Sequence, residues 1–219
     1  MLRLIGCITL FACLTVPAPA QDLQLTLGAG YSSIRSPGSF SDPIALGGYG
    51  FDHSIPLVAG LRYTFIERRI TIAASAIYQR FSSTGSSKPY IENLGLLPIE
   101  VRTKTNVWTA SIGLEWPLLQ SIDMPHLGMD LLVTSVGSID YIRDPFGRML
   151  YYRPPSVMQY GVALSGGITA PCFFGSSLDL DIRYAWHGAF ATSDDWKSID
   201  SIQLMALLNI PIWSNKPTR

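Results

Sequence analysis

The chain has 219 residues, 47% of them hydrophobic and only 15% charged, and its sixteen basic and sixteen acidic residues cancel to a net charge of zero. The length suits one domain, and the charge deficit argues against a surface bathed wholly in water, since soluble domains carry about a quarter charged residues. Neutrality removes any electrostatic case for nucleic acid as a partner.

Residues 1–20 have the three-part form of a cleavable secretory signal. Arg3 gives the positive start, Leu4 to Val16 the apolar stretch, and Ala18-Pro19-Ala20 the small residues before a cut at Gln21. The apolar stretch is shorter than the roughly 20 residues of a transmembrane helix. The alternative is a lipoprotein acylated at Cys13 after Leu10-Phe11-Ala12, against which the bulky Phe11 counts. Loss of the leader removes Cys7 and Cys13 and leaves Cys172 alone, so no internal disulfide is available. Neither a metal-ligand spacing nor a cofactor is implied. The mature chain, residues 21–219, holds no apolar run long enough to cross a bilayer as a helix. If it spans a membrane it must do so as a closed barrel, because lipid offers no partner to unpaired backbone groups.

The mature chain reads as eight strands, in which side chains alternate between two faces. Strand one, Asp22 to Ser33, sets Leu23, Leu25, Leu27, Ala29 and Tyr31 against Gln24, Thr26, Gly28 and Gly30. A long connection rich in Gly, Pro and Ser runs to about Ser54. Strand two, Ile55 to Phe65, sets Leu57, Ala59, Leu61, Tyr63 and Phe65 against Gly60, Arg62 and Thr64. After the Glu67-Arg68-Arg69 turn comes strand three, Ile70 to Phe81, with Ala74, Ala76 and Tyr78 opposite Ala73, Ser75 and Gln79. A second long connection, Ser82 to Glu100, leads to strand four, Thr103 to Trp116, with Trp108, Ile112, Leu114 and Trp116 opposite Thr109, Ser111, Gly113 and Glu115. Pro117 and Pro125 bracket a turn. Strand five, His126 to Val136, sets Leu127, Met129, Leu131 and Val133 against Gly128, Asp130, Leu132 and Thr134. The third long connection, Gly137 to Ser156, carries Asp140, Arg143, Asp144, Arg148 and Arg153. Strand six is Val157 to Thr169, a turn holds Pro171 and Cys172, and strand seven is Leu178 to Trp186. Its sequence, Leu-Asp-Leu-Asp-Ile-Arg-Tyr-Ala-Trp, is the cleanest alternation in the chain. Gly188 to Ser198 forms a fourth loop, and strand eight runs from Ile199 to Ile210. None of the fifteen prolines falls in a proposed strand core, in keeping with their inability to donate to a ladder. Connections alternate long and short, the habit of outer-membrane barrels with long external loops and short periplasmic turns.

A water-soluble barrel of the lipocalin kind would keep the apolar row inside and show Lys and Glu outside. Here the polar row is mostly Gly, Ser, Thr, Ala and Gln, and none of Lys88, Lys104, Lys197 and Lys216 lies in a strand core. Aromatics fall at two levels. Tyr31, Tyr78, Trp108, Tyr160, Tyr184 and Trp186 lie at the external end, and Tyr63, Phe65, Trp116 and Trp213 at the periplasmic end. Trp108 and Trp116, eight residues apart, span about 20 Å at roughly 3.3 Å per residue and a tilt of about 40°, close to the height of an apolar barrel band.

With strand number, alternation, girdles and leader together, the chain resembles the small eight-stranded outer-membrane barrels of the OmpA transmembrane-domain and OmpX type. The resemblance covers the mature chain from Gln21 onward. It implies an all-β, antiparallel, up-and-down transmembrane barrel in a bacterial outer membrane, monomeric and surrounded by outer-membrane lipids. The chain departs from such barrels in not ending on an aromatic. Trp213 is followed by Ser214 to Arg219, and a periplasmic domain of the OmpA kind, with its cell-wall anchoring, is not expected.

The same parity places Arg62, Glu115, Asp130, Asp179, Asp181 and Arg183 in the lumen. An internal salt-bridge network is the expectation and an ion or proton path the alternative. Four acids against two arginines leave one carboxylate to be protonated or near water. His187 shares the lumenal parity and is followed by Ser193, Asp194 and Asp195, which raises a lipid-hydrolase reading. No nucleophile spacing supports it, and a serine hydroxyl within reach of His187 is its first requirement. No catalytic residue is therefore assigned. Aromatic and basic loop residues, Phe40, Tyr49 and Phe51 in the first loop and Tyr141, Phe146, Tyr151 and Tyr152 in the third, suit an extracellular protein or glycan, or equally mutual packing. The expected role is structural or surface interaction through external loops. A narrow porin-like channel is the alternative, and a lipid-modifying enzyme ranks third.

Overall fold

The computed structural model describes residues 21–34, 53–65, 70–87, 90–91, 95–96, 99–118, 124–143, 146–153, 156–190 and 200–214. The leader with Cys7 and Cys13, the aromatics Phe40, Tyr49 and Phe51, the Glu67-Arg68-Arg69 turn, Asp144, Ser193, Asp194 and Asp195, and Lys88, Lys197 and Lys216 lie outside the described residues.

Eight long strands carry the fold: β1 (Gln21–Ile34), β2 (Leu57–Phe65), β3 (Ile70–Ser87), β4 (Ile99–Pro117), β5 (Met124–Arg143), β6 (Val157–Pro171), β7 (Ser177–Trp186) and β8 (Asp200–Ser214). Each pairs antiparallel with its neighbours in the chain, and β8 pairs back onto β1, closing the sheet into an up-and-down barrel. Closure removes the unpaired edges that an open sheet would expose. Short segments extend it at the loop end. His53–Ser54 pairs with β1, and Met149–Tyr152 pairs with β5. At the opposite end the β6–β7 connection is a tight 3-10 turn, Phe173–Gly175, in which Phe174 takes the left-handed conformation at φ 56° and both phenylalanines are exposed.

The apolar row faces outward. Leu27, Leu61, Ile112, Leu131, Leu164, Ile182 and Leu204, drawn from seven strands, are each between 43% and 60% exposed. A continuous apolar belt of that extent is stable only against hydrocarbon, so the barrel spans a membrane and the water-soluble arrangement is excluded. Tyr31, Trp108, Tyr160, Tyr184 and Trp186 ring the belt at the loop end, and Trp116 and Trp213 mark the short-turn end.

Several strands are longer than the sequence pattern indicates. β3 runs on to Ser87 instead of ending at Phe81, β4 starts at Ile99, and β5 continues to Arg143. The reason is that the polarity pattern inverts at the aromatic girdle. On β4 the outward residues below the girdle are Ala110, Ile112, Leu114 and Trp116; above it they are Asn106, Lys104, Arg102 and Glu100. The inward row loses its charge and its contact with water instead, passing from Ser111, Gly113 and Glu115 to Val107, Thr105 and Thr103, the last three all buried. Beyond the membrane the outside must be wet and the inside dry, so the membrane pattern cannot continue. Nine residues lie between Trp108 and the start of β4, which at roughly 3.3 Å each and a tilt of about 40° lifts the ribbon about 23 Å beyond the girdle.

The proline reading also needs correction. Pro125 lies inside β5 and Pro211 inside β8, which runs on to Ser214. The register between β1 and β8 shifts there, with Leu23 opposite Trp213 but Gln24 opposite Pro211, so Ile212 is the extra residue of a bulge. A bulge is where a residue without an N–H is tolerated, and it turns both Ile212 and Trp213 to the outside.

Candidate functional site

The lumen is filled in three tiers, whose order is clearest on β7 and β5. Ascending β7 from the short-turn end come Asp179, Asp181 and Arg183, then Ala185, then His187. Ascending β5 come His126 and Asp130, then Leu132, then Thr134. The first tier is charged, the second apolar and the third polar but uncharged at the ends of its hydrogen bonds.

In the charged tier the Arg62 guanidinium divides its two terminal nitrogens between Glu115 and Asp179, joining β2 to β4 and β7 across the lumen. Asp179, with no exposed surface, also accepts a hydrogen bond of 2.8 Å from the Asn209 amide, and Asn209 in turn accepts from the Thr26 hydroxyl at 2.7 Å. Arg183 lies 2.8 Å from Asp130. His126 lies 3.1 Å from Asp181 on one ring nitrogen and 3.4 Å from the Thr169 hydroxyl on the other. All six charged residues named from the sequence point into the lumen, in three bonded sets of one layer: Arg62 with Glu115 and Asp179, Arg183 with Asp130, and Asp181 with His126. The sequence reading left His126 out of this group. It shares parity with Gly128 and Asp130, and that parity was the signal that could have found it. A third potential cation changes the balance of four acids against two arginines, because Asp181 has a partner after all.

Close packing leaves room for this arrangement only where side chains are missing. At Gly113 an added Cβ would collide with the Asp130 carboxylate and the Met129 carbonyl oxygen, so the glycine is what admits the acid. The cavity remaining among Arg62, Glu115, Asp130, Asp181, Arg183 and Met205 is about 50 Å³. With a water occupying about 30 Å³ in the liquid, that is space on the order of one or two waters.

The apolar tier closes the lumen above it with two clusters: Val58, Ile77, Met205 and Leu207 on one side, and Leu132, Ala163 and Ala185 on the other. In the third tier His187 is buried. Its Nδ1 lies 2.8 Å from the Thr134 hydroxyl and its Nε2 3.4 Å from the Ser201 hydroxyl, which also accepts from the Gln203 amide at 3.2 Å. The distance requirement of a hydrolase is thus met by Ser201. The ring is oriented by a hydroxyl instead of a carboxylate, however, and His187, Ser201 and Thr134 are 3%, 2% and 0% exposed. A hydroxyl sealed in the lumen cannot meet a membrane lipid, so this contact is a packing bond.

The second candidate is the ribbon beyond the girdle. Tyr141 packs edge-to-face on Tyr151 at 5.2 Å, Lys104 sits 5.2 Å over the Tyr141 ring, and Arg148 lies 5.7 Å from the ring of Phe146. Tyr151 and Phe146 are 70% and 73% exposed. Tyr141, read from the sequence as a loop residue, is part of β5. At the foot of the ribbon Tyr78 packs against Trp108, with centroids 4.6 Å apart and ring planes tilted by 42°, and donates a hydrogen bond of 2.9 Å to Asn106.

No protein-family model matches this chain, and no curated protein does. Solved structures do. Neisserial surface protein A (NspA) is similar over 87% of this chain and 97% of its own, at 16% identity and a TM-score of 0.52. Ail, the attachment invasion locus protein of Yersinia pestis, solved in complex with the heparin analogue sucrose octasulfate, is matched over 89% of this chain and 99% of its own at 12% identity and a TM-score of 0.47. The likeness to NspA is one of fold, that of a small outer-membrane-type barrel.

Proposed function

We propose that this chain is a bacterial outer-membrane surface protein that acts through the ribbon and loops at its long-loop end, with neither a conducting lumen nor a catalytic site. The observation that carries the reading is the pairing of a filled lumen with an exposed aromatic and basic ribbon held clear of the membrane. Tyr151, Phe146 and Arg148 at its tip suit an extracellular protein or glycan, since aromatic and arginine side chains are enriched in interface cores and among their hot spots. The charged tier then has a structural role. Paired charges tie non-adjacent strands together across an interior that eight strands leave just wide enough for side chains. In this reading residues 1–20 are the removed leader, residues 21–219 the mature barrel, and the barrel works as a monomer in outer-membrane lipid.

The test displays the full barrel on cells beside a form in which residues 137–156, which carry Phe146, Arg148 and Tyr151, are replaced by a short turn. Both are confirmed as folded by heat-dependent gel migration and offered a defined panel of glycans and extracellular proteins. Binding to at least one member by the full barrel, lost in the shortened form, is expected. Binding that is equal in both forms, or ion conductance by the purified barrel in a planar bilayer, would overturn the proposal.

A further inference from the structure

The inversion of the outer row places cations just beyond the belt on one side of the barrel. Arg80 follows Tyr78 by two residues on β3, and Lys104 lies four residues above Trp108 on β4. At roughly 3.3 Å per residue and a tilt of about 40°, their Cα atoms stand about 5 Å and 10 Å above the girdle. Arg153 arrives from the segment that follows Met149–Tyr152. It lines an open recess of about 440 Å³ with Trp108, Asn106, Ser135 and Gly137, where nothing lies within 4 Å of the position a Cβ would take. Arg80 lines a second recess of about 430 Å³ with Tyr78, His53 and Ser82. The two recesses flank the Tyr78–Trp108 pair. The outward acid nearest to them among the described residues is Glu100, four residues further up β4 and in register with Arg143. On the far side of the barrel the outward charge at this level is Asp200, which accepts a hydrogen bond from Tyr184.

From this placement we infer that Arg80, Lys104 and Arg153, set around the Tyr78–Trp108 pair, form a binding strip for the phosphate groups of lipid headgroups in the leaflet at the long-loop end. The inference rests on the membrane-spanning reading of the barrel. Aromatic rings at the boundary fix the height at which headgroups lie, and the cations stand within side-chain reach of that height. Guanidinium groups recognise phosphate through paired N–H donors, and the ammonium of Lys104 adds a point charge. The aromatic floor and the Asn106 and Ser135 side chains suit the polar backbone of a headgroup beside its phosphate. The strip is confined to β3–β5, so bound lipid gathers on one flank of the barrel.

The experiment uses the mature barrel folded into three media: phosphatidylcholine vesicles, phosphatidylcholine vesicles containing phosphatidic acid, and the same phosphatidic-acid vesicles with millimolar inorganic phosphate in the buffer. Lipid retained on the protein is counted by native mass spectrometry and compared with the triple variant Arg80→Gln, Lys104→Gln, Arg153→Gln. The native barrel is expected to retain phosphatidic acid over phosphatidylcholine. The variant, equally folded by gel migration, should lose that preference by on the order of tenfold or more, as expected for removing three cations at a membrane surface. Equal retention by the two proteins would overturn the inference. Suppression of the preference by millimolar inorganic phosphate would overturn the lipid as its source. Failure of the native barrel to insert into plain phosphatidylcholine would instead strike at the membrane reading, and is told apart because it needs no phosphatidic acid.

Discussion

Replacing Arg62 by Met keeps most of the side-chain stem and removes only the charged fork. In the native barrel that fork bonds both Glu115 and Asp179, whose side chains are 17% and 0% exposed. Asp179 would keep the Asn209 amide at 2.8 Å, but its charge would face no cation, and Glu115 would lose its partner outright. Removing one member of a buried ion pair typically costs about 3–5 kcal/mol, because a charge is left without compensation. The upper part of that range is expected here, since two carboxylates are orphaned together. Such a loss is a large share of the roughly 5–15 kcal/mol that holds a domain folded. Urea unfolding of the barrel in lipid vesicles, followed through the fluorescence of Trp108, Trp116 and Trp213, measures it. The triple variant Arg62→Met, Glu115→Gln, Asp179→Asn removes the orphaned charges and should recover most of the loss. A change within about 0.5 kcal/mol for Arg62→Met, the scale of an ordinary surface substitution, would refute the reasoning. So would a triple variant no more stable than the single one.

Ile182, 60% exposed midway along β7, is expected to cost about 2–4 kcal/mol when replaced by Arg, whereas Trp186→Arg at the girdle should cost roughly 0–1 kcal/mol. The same unfolding assay would show equal costs if the outer row did not face hydrocarbon. Gly113→Ala should destabilise by about 1–3 kcal/mol through overpacking against the Asp130 carboxylate, and wild-type stability would mean that the two strands are further apart than described. Intact mass of the exported protein should correspond to a chain starting at Gln21; a lipid-modified start at Cys13 would show that the leader is processed differently.

The strand order and the outward face were legible in the sequence wherever bilayer and lumen imposed opposite demands on neighbouring residues. Leu178 to Trp186 is the clearest case, and its expected limits differ from those of β7 only at Ser177. The extensions of β3 and β4 were not legible, because residues 82–87, all Ser, Thr and Gly, carry no alternation, and residues 99–102 set Ile99 and Val101 inward and Glu100 and Arg102 outward, the reverse of a strand in lipid. Proline misled at Pro211 because a bulge lifts the demand for its missing N–H. The lumenal row of charges could be read from parity, but their partners could not. Which acid meets Arg62 depends on the stagger of strands around a closed ring, and no single strand encodes it. His126 was overlooked because it opens its strand, where the alternation has barely begun. The burial of His187 depends on Thr134 as well as Ser201, and Thr134 comes from β5, a strand that the sequence cannot place beside it.

The ion pairs of the charged tier join strands that are not neighbours, β2 to β4 and β7 and β5 to β7, while Thr26 and Asn209 bond across the seam between the first and last strands, 183 positions apart in the chain. In an open sheet these groups would sit on a wet surface, hydrated and indifferent to one another. Only when the first and last strands meet do they lose their water, and at that moment each must find its mate. The loop-closure entropy is met before any of these contacts forms. Zipping the final seam is therefore all-or-none, and a barrel ajar by one strand would hold stranded ions in place of a sealed interior. The group at the short-turn end acts as a latch, inert until the cylinder shuts and resistant to reopening once it has.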